Sequence, residues 1–351
     1  MKKRWIGLGL LALVVLVAVG YSAFIGTKPA RATLSGLLGG EKIGLFEDEA
    51  FRELLEKEHG LRMDYRKAGS LAMVQGDSGD RDYLFPSSQL ALEIYKERGG
   101  SYEDQDIVFN TPIVLYSRRA VVDALMAQNL ASESDGVYYV DMKALAEKIA
   151  AGTSWADLGM PTLYGNVFVD TTDPNQSNSG NMFLGLLASS LYGGPLRGEA
   201  AQSVVEPVRK IYNEIGYMQS SSSDMFSQFM KQGMGAYPMI AGYENQILEF
   251  SRTDPDIYER IKDDIIILYP SPTVWSSHVY IALTEEGKRG LDALKTEEVQ
   301  DIAWKRHGFR TMAAGSADKK QFDVPGIATQ IDRVMPMPDK KAMDILMKGI
   351  Q

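Results

Sequence analysis

The chain has 351 residues, 45% of them apolar and 24% charged, a globular composition with room for two domains or one large one and no mark of disorder. The formal net charge is −9, although the first 32 residues carry five basic side chains (Lys2, Lys3, Arg4, Lys28, Arg31) and no acid, so the remaining body is more acidic than the whole. Such a body repels phosphate and argues against a nucleic-acid partner, and the lack of cysteine excludes disulfides, thiolate metal sites, a cysteine nucleophile and a lipid-modified cysteine.

The first element is apolar. Lys2, Lys3 and Arg4 precede Ile6–Ile25, twenty uncharged residues rich in Leu, Val and Ala. About 20 residues rising 1.5 Å each cross a hydrocarbon core of roughly 30 Å. Positive charge ahead of the run places the N-terminus in the cytoplasm and the body outside, with Trp5 and Tyr21 near the two interfaces. Ala30-Arg31-Ala32 also fits the small-x-small rule of a cleaved signal peptide. The run exceeds the apolar core of an ordinary signal peptide, and that site lies far beyond it. Residues 1–26 are therefore expected to be a single-pass cell-membrane anchor carrying an extracytoplasmic (periplasmic or extracellular) body, with a signal peptide as the alternative.

Residues 27–38 read as a linker, and Glu41–Phe46 (EKIGLF) as the first strand. In EDEAFRELLEKEHG, Phe51, Leu54 and Leu55 form an i, i+3, i+4 stripe behind first-turn acids, and Gly60 is the expected helix stop. LRMDYRKAGS gives a second strand, and Ser70 opens a short helix over LAMVQG. DYLFPSSQLALEIYKERGG repeats the theme: strand, Pro86, then Ser87 and Ser88, then helix. DIVFNTPIVLYS is a long extended run leading into the helix RRAVVDALMAQNL. Helices follow over Met142–Ala151, over Gly180–Leu191 after a strand in NVFVDTTDP, in EPVRKIYNEIG, and after Ser220–Ser223. MGAYPMIAGYENQILEF reads strand, Gly242-Tyr243, helix; IIILYP and VYIAL read as strands, and residues 284–306 as helical. This alternation predicts an α/β chain with a parallel sheet and crossover helices.

The recurring device is strand, then Ser or Gly, then helix. A helix N-terminus leaves N–H groups unpaired and carries a partial positive charge, and serine there is often no more than a cap. Four such mouths carry serine, at Ser70, Ser87/Ser88, Ser177/Ser179 and Ser220–Ser223. In an open α/β sheet these loops gather at the carboxyl edge, which would make a neutral, donor-rich pocket suited to an anion or polar solute.

The order of elements over residues 39–350 resembles the bacterial extracellular solute-binding proteins with the type II periplasmic-binding-protein fold. KAGSLAMV resembles the ligand-contacting loop of that family after the second strand, and TTDPNQSNSGNMF its second-lobe loop. GMGAYPMIAGYENQIL resembles the facing strand-to-helix turn, and LYPSPTVWSSHVYIAL the return crossover. The resemblance implies two lobes, residues 39–113 with 271–351 and residues 114–270. Crossover strands are expected near Asp106–Leu115 and Ile265–Pro270. It implies a small polar or anionic ligand clamped between the lobes for transport or sensing, and the serine-rich loops lean towards oxyanions. The expected ligand set is Ser70, Ser87, Ser88, Ser177, Ser179, Gly180 and Tyr243. The chain is also similar to membrane-anchored members found beside toxic-anion (tellurite-type) resistance proteins. A tethered interaction or signalling protein that reuses the fold without ligand is therefore the alternative, and a membrane transporter or resistance-complex components are the expected partners.

No G-x-S-x-G elbow, P-loop or H-E-x-x-H occurs, and His59, His278 and His307 lie far apart. Tyr237 and Tyr243 could serve a ferric ion but lie across a strand and its turn. No enzymatic activity, metal or cofactor is expected.

Overall fold

The structure is a computed structural model describing residues 30–311 and 321–351. The expected span over Ile6–Ile25 lies outside the described residues, and among those described no helix is long and apolar enough to cross a membrane.

The strands are β1 Ala32–Leu38, β2 Leu61–Lys67, β3 Tyr83–Phe85, β4 Asp104–Arg118, β5 Ala131–Ser134, β6 Val137–Asp141, β7 Met239–Tyr243, β8 Ile265–Ser271, β9 Trp275–Ala282 and β10 Arg310–Thr311. They follow the order β2-β1-β3-β9-β4-β8-β6-β5, with β7 and β10 also joining at β4. β4 divides this path. Asp104–Pro112 pair with β9, whereas Ile113–Ser117 pair with β7 and Leu115–Arg118 with β8. Pro112, which has no N–H to donate, stands where the partners change. The return connection from β8 to β9 is pinned beside it, because Ile113 N–H donates to Val274 O at 3.1 Å and the Thr273 hydroxyl to Ile113 O at 2.6 Å. Separate apolar layers cover each section. Leu34, Phe46, Phe85, Phe109 and Phe309 belong to the first, and Leu115, Val140, Phe183, Leu187 and Leu268 to the second.

The expected parallel sheet is mixed. β1–β2, β1–β3 and β6–β8 pair parallel, whereas β4 pairs antiparallel with β7, β8, β9 and β10, because the chain's return strands run against the one long strand that serves both sections. Four further expectations need correcting. The segment read as linker contains β1: Leu34, Leu37 and Leu38 are buried, and Gly36 admits the Tyr83 ring, which a Cβ would approach to 2.5 Å. Its glycines serve close packing and turns in the body, so the expected start of the body at residue 39 falls too late. Glu41–Phe46, read as a strand, is instead the 3-10 turn Gly40–Lys42 running into the helix Ile43–Glu47, which buries Leu45 and Phe46 against Phe51 and Phe85. The strand expected in NVFVDTTDP is an extended segment with two isolated bridges, antiparallel from Asn166 to Ser154 and parallel from Asp170 to Ile240.

The C-terminus gives the fourth correction. Residues 321–349 return to the second section instead of staying with the first. Phe322, Val324 and Ile327 pack with Ile267 and Tyr269, while Ala342, Met343 and Leu346 of the helix Lys340–Gly349 pack with Val204, Val208 and Ile211. The apolar stripe of that last helix needs cover, and the helix Gln202–Glu214 supplies it. The sequence reading also missed the β5–β6 hairpin, although Asp135-Gly136, with φ of 53° and 76°, is a strong hairpin signal.

Candidate functional site

The helix Asn178–Tyr192 is buried along Asn178–Ser190, which accounts for its apolar body. It lies in the second core, with Gly185 against Met337 and Pro338 of the C-terminal segment, so its N-terminus is rigidly held. That N-terminus opens on a small cavity of about 40 Å³ between the two sections. Gly39–Glu41 and Lys67–Ser70 line it from the first section, Gln176–Asn178, Ser220–Ser222 and Tyr243 from the second.

Two long helices begin here without a side-chain cap. Neither Ser177, ahead of Asn178–Tyr192, nor Ser221, ahead of Ser222–Lys231, makes a capping hydrogen bond. Elsewhere Ser88, Asp141, Thr284 and Asp339 cap their helices, while Arg119–Ala127, Gln202–Glu214 and Glu297–His307 also begin without a side-chain cap. Unpartnered atoms set the cavity's two helix ends apart. Two cavity-lining polar atoms, Ser221 Oγ and Asn178 Oδ1, are buried without a hydrogen-bond partner. The site thus combines two positive helix ends with unspent polar groups and the Lys67 ammonium, 3.7 Å from Asp224.

Asn178 also bridges the sections. Its Nδ2 donates to Ser87 O at 2.8 Å on one side and to the Tyr243 hydroxyl at 3.0 Å on the other. Burial drives the Tyr243 phenol above its ordinary range, so it stays neutral and available as donor and acceptor.

A buried ion pair reaches the cavity wall at Glu41. Lys42 is fully buried, and its ammonium donates to Glu41 Oε1 at 2.5 Å, Ser87 Oγ at 2.7 Å and His278 Nδ1 at 3.1 Å. Three acceptors match the three hydrogens of an ammonium. The Ser87 hydroxyl donates onward to Glu41. Burial alone would raise the Glu41 carboxyl, but Lys42, His278 and these bonds hold it down to about 2. Burial, and then the Lys42 charge, hold His278 well below the ordinary histidine range, so it accepts as a neutral ring. Burial likewise pushes Lys42 down, opposed by Glu41.

Of the expected ligand set, Ser70, Ser177 and Tyr243 line the cavity. Ser87 lies one layer back, in the ion-pair network, and its N–H donates to Ser70 Oγ at 2.9 Å. Ser88 caps the helix Gln89–Glu97 and faces a different cavity, with Trp275 and Met335. Ser179 turns inward to Thr172 Oγ1 at 2.7 Å and Ser177 Oγ at 3.0 Å. Gly180 serves packing, not ligand approach, since a Cβ there would stand 2.0 Å from Thr172 O. Gly180→Ala is therefore expected to destabilise the fold by about 1–3 kcal/mol through overpacking, read as a lower urea midpoint at unchanged slope; an unchanged midpoint would return Gly180 to the ligand set. Sequence reasoning missed Gly39, Gly40, Glu41, Lys67 and Asn178. Gly39-Gly40 ahead of an acid was the one available signal. Tyr237 packs in the apolar layer with Ile240 and does not join Tyr243. Among the described residues no group of acids and histidines could hold a metal ion.

By sequence the chain matches no family model and no curated protein. Solved structures do match. One is the sulfate-binding protein SubI of Mycobacterium tuberculosis, with 15% identity, TM-score 0.53, and 87% of this chain and 94% of that one covered. Another is the substrate-binding protein of an ABC transporter from Agrobacterium tumefaciens, with 12% identity, TM-score 0.57, and 93% and 96% covered. The fold is that of the type II periplasmic binding proteins. At these identities the likeness extends to the fold alone.

Proposed function

We propose that the chain is an extracytoplasmic solute-binding protein, tethered by its N-terminal segment, that clamps a small polar or anionic ligand between two lobes for transport or sensing. Lobe one takes β1–β3, the first half of β4, β9 and β10; lobe two takes the rest of β4, β5–β8 and the C-terminal segment. The observation that carries this reading is the convergence of two uncapped helix N-termini and two unpartnered buried polar atoms on one cavity between the sections. A membrane transporter is the partner that such a role implies.

A ligand that binds only the folded state raises the melting temperature. A thermal-shift series on the full chain with sulfate, phosphate, molybdate, tungstate and tellurite, beside sugars and amino acids, tests the reading. An anion should raise the midpoint. Ser177→Ala should then weaken that anion by about ten- to a hundredfold, the loss of one hydrogen bond to a charged ligand, with Ser221→Ala acting in the same direction. Unchanged affinity in both variants would remove the cavity from the site.

The second reading is a tethered interaction or signalling protein that uses the fold without ligand, as in a toxic-anion resistance system. The small size of the cavity favours it, as does the acidic residue Glu41 in its lining. A flat thermal response to every anion, sugar and amino acid would favour this reading.

A further inference from the structure

A second hollow opens beside the cavity. It encloses about 600 Å³ between the segment Gly40–Gly44, the helix Ser222–Lys231 and the helices Glu244–Thr253 and Pro255–Ile261. Ile43, Phe226, Met230, Phe250 and Ile257 supply its apolar wall, and Ile257 is 45% exposed there. Gly40, Glu41 and Lys67 line both spaces, so the small polar cavity and the large apolar groove meet at those three residues.

The two spaces differ in chemistry. The cavity offers two helix N-termini, the Ser221 and Ser177 hydroxyls and the Lys67 ammonium. The Glu41 charge is already taken by Lys42 and Ser87. An anionic group therefore suits the cavity. The groove has the size of an organic-ligand site, roughly 300–1,000 Å³, and the expected mix of apolar wall with a few polar groups. A bare inorganic anion would leave this wall in water.

Resting on the reading of the cavity as a ligand site, we infer that the ligand is an organic anion. Its small acidic head, a sulfonate, phosphonate or carboxylate, sits at Lys67 and the Asn178 and Ser222 helix ends, and its apolar body lies along Phe226, Met230, Phe250 and Ile257. Lys67 stands at the neck, where head and body join. The groove then supplies much of the affinity and the choice among anions.

Calorimetric titration of the full chain with sulfate, methanesulfonate, butanesulfonate and hexanesulfonate tests this. Each methylene that enters the groove should tighten the dissociation constant by about fourfold, with a heat-capacity change that grows more negative along the series. Met230→Ser, which shortens the apolar wall without adding charge, should flatten the chain-length dependence. Ile257→Glu, at an exposed position that does not threaten folding, should weaken hexanesulfonate at least severalfold and spare methanesulfonate. Sulfate binding as tightly as hexanesulfonate, with both groove variants behaving as wild type, overturns the organic-anion inference and leaves the cavity as the site. Binding of none of the four overturns the inference together with the ligand-site reading on which it rests.

Discussion

Lys42→Met is expected to destabilise the protein by about 3–5 kcal/mol, because it strands Glu41 as a buried carboxylate without a counter-charge. The pH dependence distinguishes this cause from lost packing. In the wild type the Glu41 carboxyl sits at about 2 against an ordinary 4.5. A folded-state value below the unfolded one contributes stability that is present above about pH 4.5 and lost as pH falls towards 2, in all about 3 kcal/mol. In Lys42→Met, burial, the largest influence on Glu41, is opposed only by His278 and the Ser87 hydroxyl, so the carboxyl rises and protonation relieves the variant. The gap in unfolding free energy between wild type and Lys42→Met should therefore shrink as pH is lowered from 6 to 3, measured by urea unfolding at each pH. Glu41→Gln/Lys42→Met, which removes both charges, should recover most of the loss at pH 7. A gap that stays constant with pH, or a double variant no better than the single one, would mean that Lys42 acts by packing alone.

Gly69→Ala is expected to hold the cleft open. Gly69 has φ −69° and ψ 148°, a conformation any residue adopts, so the substitution carries no backbone strain of its own. Its constraint is steric: a Cβ there would stand 2.1 Å from Gln176 O, a backbone atom of the opposing wall. Separating two sections joined at β4 and the β8–β9 connection relieves the clash more cheaply than distorting either wall. The variant should fold, show a larger radius of gyration than wild type in solution scattering, and lose the Asn178-to-Ser87 bond that spans the cleft at 2.8 Å. Any anion found to stabilise the wild type should bind it at least tenfold more weakly, because cavity walls that cannot meet no longer share one ligand. Superimposable scattering curves and equal affinity would show that the two walls do not move relative to one another.

Much of the fold was legible in local sequence. The helix that opens at Glu49 was read from Phe51, Leu54 and Leu55 and from the Gly60 stop, which takes φ 66°. The mouths at Ser70, Ser177 and Tyr243 were read from strand-to-helix transitions, and all three line one cavity. These features depend on residues within a few positions of each other: periodicity, caps and stops are properties of a short stretch of chain. The strand-helix alternation gives the α/β class for the same reason, but not the strand directions: the sheet is mixed, and β4 runs antiparallel to β7, β8, β9 and β10, a matter of long-range pairing.

What tertiary structure alone decided is which polar groups have partners. Lys42 reaches His278 across 236 positions of sequence, and Arg310 reaches Glu244 with bonds of 2.6 and 2.7 Å across 66. No local pattern distinguishes those side chains from solvated ones. The same holds for Ser179, turned inward to Thr172, beside Ser177, which lines the cavity while bonding Ser179: which way a serine faces depends on the neighbouring wall. Likewise the stripe on Lys340–Gly349 requires a buried face but does not name the surface that covers it. Sequence sets what each segment can form and what it must bury. The choice of partner rests on contacts between distant segments, whose free energy exists only once the chain has been brought together.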